Sequence, residues 1–425
     1  ACGDGDDPAD VGRPDAGASP DGGAPPDMGQ PPDGGSGDAG SGPGDEVITC
    51  MNDPIPMSGG QTCAVASGSG AARLVRGAIV APQGLLENGH LLIGEDGKVA
   101  CAACDCSGAP GFEEATVIAC PSGVVSPGII NAHEHLTFAE GRPSLPEATR
   151  YDHRHEWRRG ARGAMSLDTP SRSSGDDPVL YAELRHLLGG ATSVAGSGGA
   201  PGLLRNLDRR GDLQEGLNQA EVEYSTFPLG DASGALRETG CDYPSIDSPG
   251  SIESAIAYLP HVAEGVDRAA RNEFLCLSRE EGGGQDLLLD KTALIHGVGM
   301  SAVDYAVMAA DGASLVWSPR TNVSLYGFTA PVTMARALGV NIALGTDWPS
   351  SGSQNMLREL RCADRLDASN YGDAFTDREL VDMATVNAAA ALKTDMKIGS
   401  LRPGLEADVA IFDAAARPGY RAIIE

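Results

Sequence analysis

A regular alternation of apolar strands and helical segments between residues 124 and 395 constrains the fold of this chain more than any other feature. Continuous apolar stretches predict strands that are buried on both faces; they lie at 124–132, 191–195, 293–295, 314–317 and 341–344. Apolar residues at helical spacing lie between them, at 303–310, 332–338, 356–366 and 378–392. Strands that alternate with helices over this length favour an α/β fold with a (β/α) barrel over an open sheet.

Short strands with tight turns precede this region. They are predicted at 72–80, 90–94, 99–101 and 115–119, and indicate a small β-sheet unit over residues 50–123. The last segment, 396–425, contains a turn followed by the strand-like stretch 409–413, which we expect to rejoin that sheet.

The first 49 residues differ in composition from everything that follows. Residues 4–46 are mostly Asp, Gly, Pro, Ala and Ser, so they cannot bury enough apolar surface to offset the entropy of ordering. We expect a disordered tether over residues 1–49. The start, Ala1-Cys2-Gly3, resembles a mature bacterial lipoprotein, which predicts a lipid on Cys2 and an exported enzyme at the periplasmic or outer side of a membrane.

Bulk charge excludes some partners. The chain has 31 Lys+Arg against 59 Asp+Glu and a net charge of -28, which disfavours binding to nucleic acid. No apolar run reaches the roughly 20 residues that a membrane-spanning helix needs. The expected partner is a small-molecule substrate, with contact to a membrane only through Cys2; a homo-oligomer is left open.

The 10 cysteines are many for a cytosolic enzyme and favour an oxidising compartment. Cys50 and Cys63 are plausible disulfide partners, and so are Cys241 and Cys276. The remaining group, Cys101, Cys104, Cys106 and Cys120, lies near one hairpin. Disulfides are favoured there over zinc binding, since a single CxxCxC pattern lacks a matching second half.

Several of the strands end in residues that bind metals. His133 and His135 close the first strand, and their spacing puts both side chains on one face. Similar endings follow at His261, His296 and Asp347. Because the carboxyl ends of barrel strands meet at one mouth, these side chains are predicted to converge on a divalent ion. Imidazole and carboxylate ligands suit zinc best, and iron or manganese would also bind.

The motifs that carry these residues resemble the amidohydrolase superfamily, in its deaminase and chlorohydrolase-like (cytosine deaminase-like) branch. The matching segments run in the family's order from residue 72 to the end; they are 127–136, 261–264, 294–297, 318–322, 344–347, 398–401 and 404–408. The resemblance implies a distorted TIM barrel with a small flanking β-sandwich built from both chain ends. It also implies that the metal ligands are His133, His135, His261 and Asp347.

The resemblance further implies catalytic roles for three residues. Asp347 would take a proton from a water that the metal has made acidic, and His296 would orient that water or polarise the substrate. Glu264 would protonate a ring nitrogen and then the leaving group. For substrate contacts we expect Arg320 and Asn322, which follow the seventh strand, and Trp348, which could stack on a flat ring. A structural ion pair is an equal alternative for Arg320. A second His-x-His pair, His153 and His155, lies in a charged segment and is expected at the surface or the rim of the pocket.

The number of metals follows from one absence in the sequence. Binuclear family members use a carbamylated lysine, and no lysine lies between His135 and His261, which favours one ion.

The expected activity is hydrolysis of a non-peptide carbon–nitrogen bond, as in deamination of a nitrogen heterocycle. An amidase, a cyclic-amide hydrolase or a dechlorinase is the alternative on the same site, and a non-catalytic surface lipoprotein is the third possibility. After residue 413 the family normally continues further, so a truncated record or a reduced sandwich is also expected.

Overall fold

The computed structural model describes residue 2 and residues 46–55, 59–142, 149–173 and 175–425. The predicted tether, apart from Cys2 and its last few residues, lies outside the described residues.

The flanking unit is one hydrogen-bonded sheet of seven strands, ordered β1-β4-β3-β6-β15, with β2 on β6 and β5 on β4. The strands are β1 (Val47–Thr49), β2 (Ala64–Ser67), β3 (Arg73–Ala81), β4 (Gly84–Ile93), β5 (Val99–Ala103), β6 (Thr116–Pro127) and β15 (Val409–Asp413). Strand β15 pairs antiparallel with the end of β6, so both chain ends build this sheet, as the sequence predicts. Along β15 buried and more exposed residues alternate, which is the pattern of a strand covered on one face.

The barrel contributes eight further strands. They are β7 (Ile129–Asn131), β8 (Ala191–Val194), β9 (Arg205–Asn206), β10 (Glu223–Ser225), β11 (Tyr258–Val262), β12 (Ala293–His296), β13 (Ser314–Trp317) and β14 (Ile342–Leu344). Each of β7 and β11–β14 is buried along its whole length, as expected for strands covered on both faces. Strands β7–β9 form one parallel sheet and β10–β14 another.

Backbone hydrogen bonds join these two sheets at both edges. Val222 N–H donates to Leu207 O at 2.9 Å between β9 and β10, and Ala132 N–H donates to Leu344 O at 3.1 Å between β7 and β14. The eight strands therefore follow one another around a ring in chain order. Because isolated hydrogen bonds replace full ladders at the two seams, the barrel is distorted.

Strand β6 leads directly into the barrel through Gly128. The sequence predicted one strand from 124 to 132, but the structure divides it at this glycine. A Cβ on Gly128 would lie 2.3 Å from Thr192 Oγ1, so only glycine lets the chain pass β8 here. The barrel therefore begins at Ile129, and β6 crosses the predicted boundary between residues 123 and 124.

Ten α-helices flank the strands among the described residues. They are α1 (Arg154–Arg159), α2 (Asp176–Leu187), α3 (Arg268–Leu277), α4 (Ala302–Ala310), α5 (Pro319–Tyr326), α6 (Val332–Ala337), α7 (Met356–Leu366), α8 (Asp377–Asp382), α9 (Val386–Ala391) and α10 (Arg421–Ile424). The predicted single helix at 378–392 is wrong, since it is divided into α8 and α9. Leu344 N–H donates to Met383 O, and Ile130 N–H donates to Ala384 O. Because these two carbonyls bond to barrel strands, they do not form the hydrogen bonds that would continue the helix.

All ten cysteines are among the described residues, and they form five disulfides. The pairing of Cys241 with Cys276 is as predicted. The predicted pairing of Cys50 with Cys63 is wrong: the two lie close in sequence, but the sheet brings Cys104 to Cys50 and Cys120 to Cys63. The last two pairs are Cys101–Cys106 and Cys2–Cys362, so the CxxCxC pattern forms disulfides.

The pairing of Cys2 bears on the predicted lipid anchor. Its sulfur is bonded to that of Cys362 in α7, and a sulfur in a disulfide cannot also carry a thioether-linked lipid. The structure thus differs from the lipid-bearing Cys2 that the sequence suggested. Among the described residues no helix is long and apolar enough to cross a bilayer.

Candidate metal centre and active site

Five polar side chains converge at the carboxyl end of the barrel. His133 and His135 follow β7, His261 lies in β11, His296 ends β12, and Asp347 follows β14. Gly345 permits this approach, because a Cβ there would lie 2.4 Å from His133 Cβ. The five residues come from the first, fifth, sixth and eighth strands of the ring, so only the closed fold brings them together.

The backbone at these strand ends is strained. Ala263, His296 and Asp347 have φ values of 53°, 78° and 56°, which non-glycine residues rarely adopt. Hydrogen bonds hold the turns in place: Ala263 N–H donates to Glu273 Oε2 at 3.0 Å, and Asp347 N–H donates to His133 O at 2.9 Å. Such strain is typical of sites where side chains must be aimed in fixed directions.

The inward-facing atoms lie close enough to share one ion. His133 Nε2 and His135 Nε2 are 3.4 Å apart, and they lie 3.5 and 3.3 Å from Asp347 Oδ1. The ring nitrogens of His133, His261 and His296 also lie within 4.8 Å of one another.

Hydrogen bonds on the outer side of the rings fix which nitrogen faces inward. His261 Nδ1–H donates to the carbonyl of Ser225 at 3.1 Å, which leaves a lone pair on Nε2. That Nε2 is buried and has no hydrogen-bond partner among the described residues. His133 Nδ1 is bonded to Ser318 Oγ at 2.9 Å, so its Nε2 also faces the cluster. A buried imidazole nitrogen without a partner fits the requirement of a divalent metal, and hydrogen bonds of this outer kind orient metal-binding histidines.

Electrostatics keep the ligands in the form that binds metals. Burial lowers the pKa of His133 and His261 well below the usual value, and the neighbouring histidines lower both further, so both are neutral at pH 7. Burial raises the pKa of Asp347, but the hydrogen bond from His135 and the charges of His135 and His296 outweigh this and leave the pKa below its usual value. Neutral imidazoles and an ionised carboxylate are the states that coordinate a divalent ion.

A hydrogen-bonded chain positions Glu264 next to these ligands. Trp157 Nε1–H donates to the hydroxyl oxygen of Tyr326 at 2.9 Å, and Tyr326 O–H donates to Glu264 Oε1 at 2.7 Å. Burial and the charge of Glu264 raise the pKa of Tyr326 well above its usual value, so the phenol keeps its proton. The other oxygen, Oε2, lies 3.5 Å from His296 Nε2.

A second chain fixes His296. Trp317 Nε1–H donates to Thr329 Oγ1 at 2.7 Å, so the Thr329 hydroxyl must donate onward, to Asn322 Oδ1 at 3.2 Å. The Asn322 amide nitrogen then donates to His296 Nδ1 at 3.1 Å. Because Nδ1 accepts, a neutral His296 carries its proton on Nε2, the nitrogen that faces Glu264.

The cluster opens into a cavity of about 360 Å³, within the size range of small-molecule sites. His135, His261, Glu264, His296 and Asp347 form its floor. Four aromatic side chains line its walls: Phe138, Trp157, Phe227 and Trp348. Trp348 packs at 5.4 Å from Trp157 and 5.7 Å from Phe138, ring centre to ring centre. Apolar ring faces above a polar floor suit a flat heterocycle.

Comparison with known proteins shows which family the sequence around this site is similar to. The sequence profile of the Amidohydrolase family matches residues 262–424, which include His296, Asp347 and the loop with Glu264. Over these residues the chain is similar to the amidohydrolases. The 5-methylthioadenosine/S-adenosylhomocysteine deaminase of Teredinibacter turnerae is 37% identical over 130 residues, which cover 30% of this chain and 29% of that protein.

Longer matches cover most of this chain. The Halobacterium salinarum protein of the same name is 27% identical over 391 residues, which cover 81% of this chain and 84% of that one. The zinc complex of atrazine chlorohydrolase from Arthrobacter aurescens has a similar fold, with a TM-score of 0.60 and 20% identity over 83% of this chain and 91% of that one. The chain therefore has the distorted TIM-barrel fold that the sequence predicted.

The structure brings six of the predicted site residues together and separates others. His133, His135, His261, Glu264, His296 and Asp347 form one cluster, and Trp348 lines the cavity above it. Arg320 does not line the cavity: its side chain donates to Ser353 Oγ and to Cys2 O. Asn322 is buried against His296 and does not line the cavity either. Both belong to α5, which begins at Pro319 and turns their side chains behind the strand ends.

The second His-x-His pair is also placed differently from the prediction. His153 and His155 are buried, and neither lies at the surface. His153 Nε2 lies 3.2 Å from Glu273 Oε1, and His155 Nε2–H donates to Asp231 Oδ2 at 2.8 Å. The carboxylates that accept these groups come from distant parts of the chain, so the sequence alone gave no sign of burial.

Sequence analysis missed several residues that shape the site. Tyr224 in β10 lies with its ring centre 5.4 Å from that of His261, on the fourth strand, where binuclear relatives were expected to have lysine. Ser318, Ser225 and Tyr326 orient the ligands and Glu264. The arginines of the cavity, Arg154, Arg158, Arg159 and Arg172, were also missed. A signal existed only for α1, where Arg154, Arg158 and Arg159 crowd one short segment.

Proposed function

We propose that this amidohydrolase is a zinc-dependent deaminase that hydrolyses the exocyclic amine of a nitrogen heterocycle. The observation that carries the proposal is the position of Glu264 and His296 beside the candidate ligands, with Glu264 Oε2 3.5 Å from His296 Nε2. Metal binding alone requires neither residue, whereas proton transfer to a ring nitrogen requires an acid in this place.

His133, His135, His261 and Asp347 would hold one divalent ion, which would supply a Lewis acid and lower the pKa of water. Zinc fits a set of three imidazoles and a carboxylate, and the zinc complex of the Arthrobacter relative supports the same choice. Tyr224 occupies the fourth strand where a bridging lysine would stand, which supports a single ion.

The residues of this chain divide the proton transfers between them. Asp347 accepts a proton from the attacking water, and Glu264 gives a proton to the ring nitrogen next to the reacting carbon. His296 Nε2–H donates to the oxygen added to that carbon. Glu264, now ionised, takes the proton of the new C–OH group and passes it to the amine. The C–N bond breaks, ammonia leaves, and the C–OH group becomes a carbonyl. The proton held by Asp347 then returns to Glu264, which restores both carboxyl groups. Tyr326 holds Glu264 in place through the 2.7 Å hydrogen bond.

The substrate class we infer is a 6-aminopurine nucleoside or a close analogue. Two relatives are named for deamination of 5-methylthioadenosine and S-adenosylhomocysteine, and one of them aligns over most of both chains. The aromatic walls formed by Phe138, Trp157 and Trp348 support a flat ring. A chlorotriazine is the second candidate, because the Arthrobacter chlorohydrolase shares the fold.

Ammonia release tests the proposal. The zinc-loaded protein is assayed with adenosine, 5-methylthioadenosine, cytosine, guanine and a chlorotriazine, the last with chloride as the product. We expect one aminopurine to be turned over, and Glu264→Gln to lower kcat by about a hundred- to ten-thousandfold. The exposed Glu280→Gln is the matched control and should match the parent. A folded, zinc-loaded protein that releases no product from any compound would disprove the proposal.

We also propose that the enzyme is exported. Five disulfides are typical of an oxidising compartment and support this. Peptide mapping without reduction, on protein from the native cell envelope, distinguishes a Cys2–Cys362 disulfide from a lipid-modified Cys2, since the two exclude each other. Recovery of the protein from the cytoplasm with free thiols would contradict export.

A further inference from the structure

Part of the lining of the active-site cavity is basic, although the chain as a whole is acidic. Arg158 and Arg159, at the end of α1, line the cavity, and so does Arg172. In a chain with 31 Lys+Arg and 59 Asp+Glu, most cations can find an acidic partner. Among the described residues, however, no carboxylate lies within the 4.0 Å of an ion pair from any of these three.

The neighbouring Arg154 shows what a structural arginine looks like in the same place. It also lines the cavity, but its guanidinium is bonded to Asp231 at 2.5 Å and lies 3.4 Å from Glu273. Both carboxylates are buried, so the charge of Arg154 is neutralised inside the protein. Arg154 therefore has a structural role that the other three arginines lack.

Arg158 and Arg159 are held in position by uncharged groups. Arg158 donates to His155 Nδ1 at 2.9 Å and lies 4.2 Å above the ring of Phe227. Arg159 donates through Nε and Nη2 to Ala232 O at 3.2 and 3.1 Å. An imidazole nitrogen, a ring face and a carbonyl orient a guanidinium without cancelling its charge.

The buried second His-x-His pair takes part in this arrangement. His155 Nε2–H donates to Asp231, so His155 Nδ1 has a free lone pair and accepts the hydrogen bond from Arg158. Burial and the charge of Arg154 lower the pKa of Arg158 to about 10, which still leaves it cationic at pH 7. An incompletely solvated cation that faces a cavity attracts an anion more strongly than one in open solvent.

Arg172 lines a second cavity as well as the active-site cavity. Its Nε donates to Thr137 Oγ1 at 3.3 Å, and its side chain lines both the active-site cavity and an adjoining one of about 370 Å³. Ser197 and Thr226 line both cavities as well. Asp208, Glu221 and Glu223 line the second cavity as well, so an anionic group is favoured only on the active-site side of Arg172.

We propose that Arg158, Arg159 and Arg172 bind a negatively charged substituent of the substrate, either a phosphate or a carboxylate, while the heterocycle lies over the metal centre. Guanidinium groups recognise both anions through paired N–H donors, so the shared chemistry is an oxyanion on the side chain or sugar of the base. The inference deepens the proposed function and rests on it for the position of the heterocycle.

Equilibrium binding tests the arginines without relying on turnover. Isothermal titration calorimetry in the zinc-loaded Glu264→Gln variant compares adenosine 5′-monophosphate, adenosine 5′-carboxylate, S-adenosylhomocysteine and neutral adenosine. We expect at least one anionic compound to bind about tenfold to hundredfold more tightly than adenosine, the range that a charge-assisted hydrogen bond or two provides. The phosphate and carboxylate arms distinguish the two sources of the anion.

Arginine variants then assign the effect to this site. Arg159→Gln and Arg172→Gln change exposed side chains, and we expect the double variant to abolish the advantage of the anion over adenosine. Arg279→Gln is the matched control: Arg279 is exposed and donates only to a carbonyl, Leu275 O, at 3.2 Å among the described residues. It should leave the advantage unchanged.

The outcomes separate this inference from the proposed function. If adenosine is deaminated but the anions bind no better, or if the double variant keeps their advantage, the arginine inference is overturned and the deaminase proposal stands. If the anions bind through the arginines and no compound is deaminated, the inference stands for binding and the deaminase proposal fails.

Discussion

The hydrogen bond between Ser318 and His133 offers a sharp test of the metal centre. His133 faces the ligand cluster with Nε2, so a bound metal requires the proton on Nδ1, from which it is donated to Ser318 Oγ at 2.9 Å. Ser318→Ala removes the acceptor and leaves a buried N–H without a partner. Loss of such an outer hydrogen bond weakens metal binding about tenfold to hundredfold, which corresponds to about 1.4 to 2.8 kcal/mol.

The matched control lies at the far end of β13, the strand that Ser318 follows. Ser314 begins β13, is also buried, and accepts a hydrogen bond from Asn341 Nδ2 at 3.1 Å at the opposite end from the metal centre. Ser314→Ala therefore removes the same atom without contact to a ligand. It should alter stability but leave the affinity for zinc within twofold of the parent.

Competition with a chromophoric zinc chelator measures the affinity of the metal-free proteins. The reasoning predicts that Ser318→Ala binds zinc at least tenfold more weakly than both the parent and Ser314→Ala. An affinity for zinc equal to that of the parent would refute the claim that Nδ1 of His133 is held by Ser318 when metal binds. An equal loss in both variants would mean that general destabilisation, and not ligand orientation, weakens the site.

Three further outcomes are expected. Tyr326→Phe removes the donor to Glu264 and should lower the kcat of ammonia release about tenfold without loss of zinc. Its control is Tyr305→Phe, which removes a donor to Gly297 O and should change kcat less than twofold. Burial raises the pKa of Glu359 from 4.5 to about 7, so between these pH values the folded chain holds a proton that the unfolded chain has lost, and stability falls as pH rises. Glu359→Gln should remove up to about 3 kcal/mol of this fall, measured by denaturation in urea at pH 5 and pH 8. Replacement of Cys241 and Cys276 together by alanine opens a loop of 35 residues and should lower the free energy of unfolding by about 2 to 4 kcal/mol, measured without reductant; an unchanged urea midpoint would contradict this disulfide.

The sequence by itself determined the class of fold and the residues of the candidate metal centre. Alternating strands and helices are local patterns, and residues that end buried strands can be identified from those patterns alone. His133, His135, His261, His296 and Asp347 could be proposed together because a barrel collects all its strand ends at one mouth. The disulfide between Cys241 and Cys276 was also expected, since the two cysteines flank one strand.

Only the tertiary structure decided which side chains support or surround that centre. Ser318, Tyr326 and Asn322 act through contacts between different strands and helices, and no local pattern distinguishes them from ordinary polar residues. Arg320 shows the converse, because its place in the sequence suggested substrate contact while α5 turns it toward Ser353. Burial and the partners of a charged side chain depend on the whole fold. They separate Arg154, which is paired with Asp231, from Arg158, which has no ion pair among the described residues.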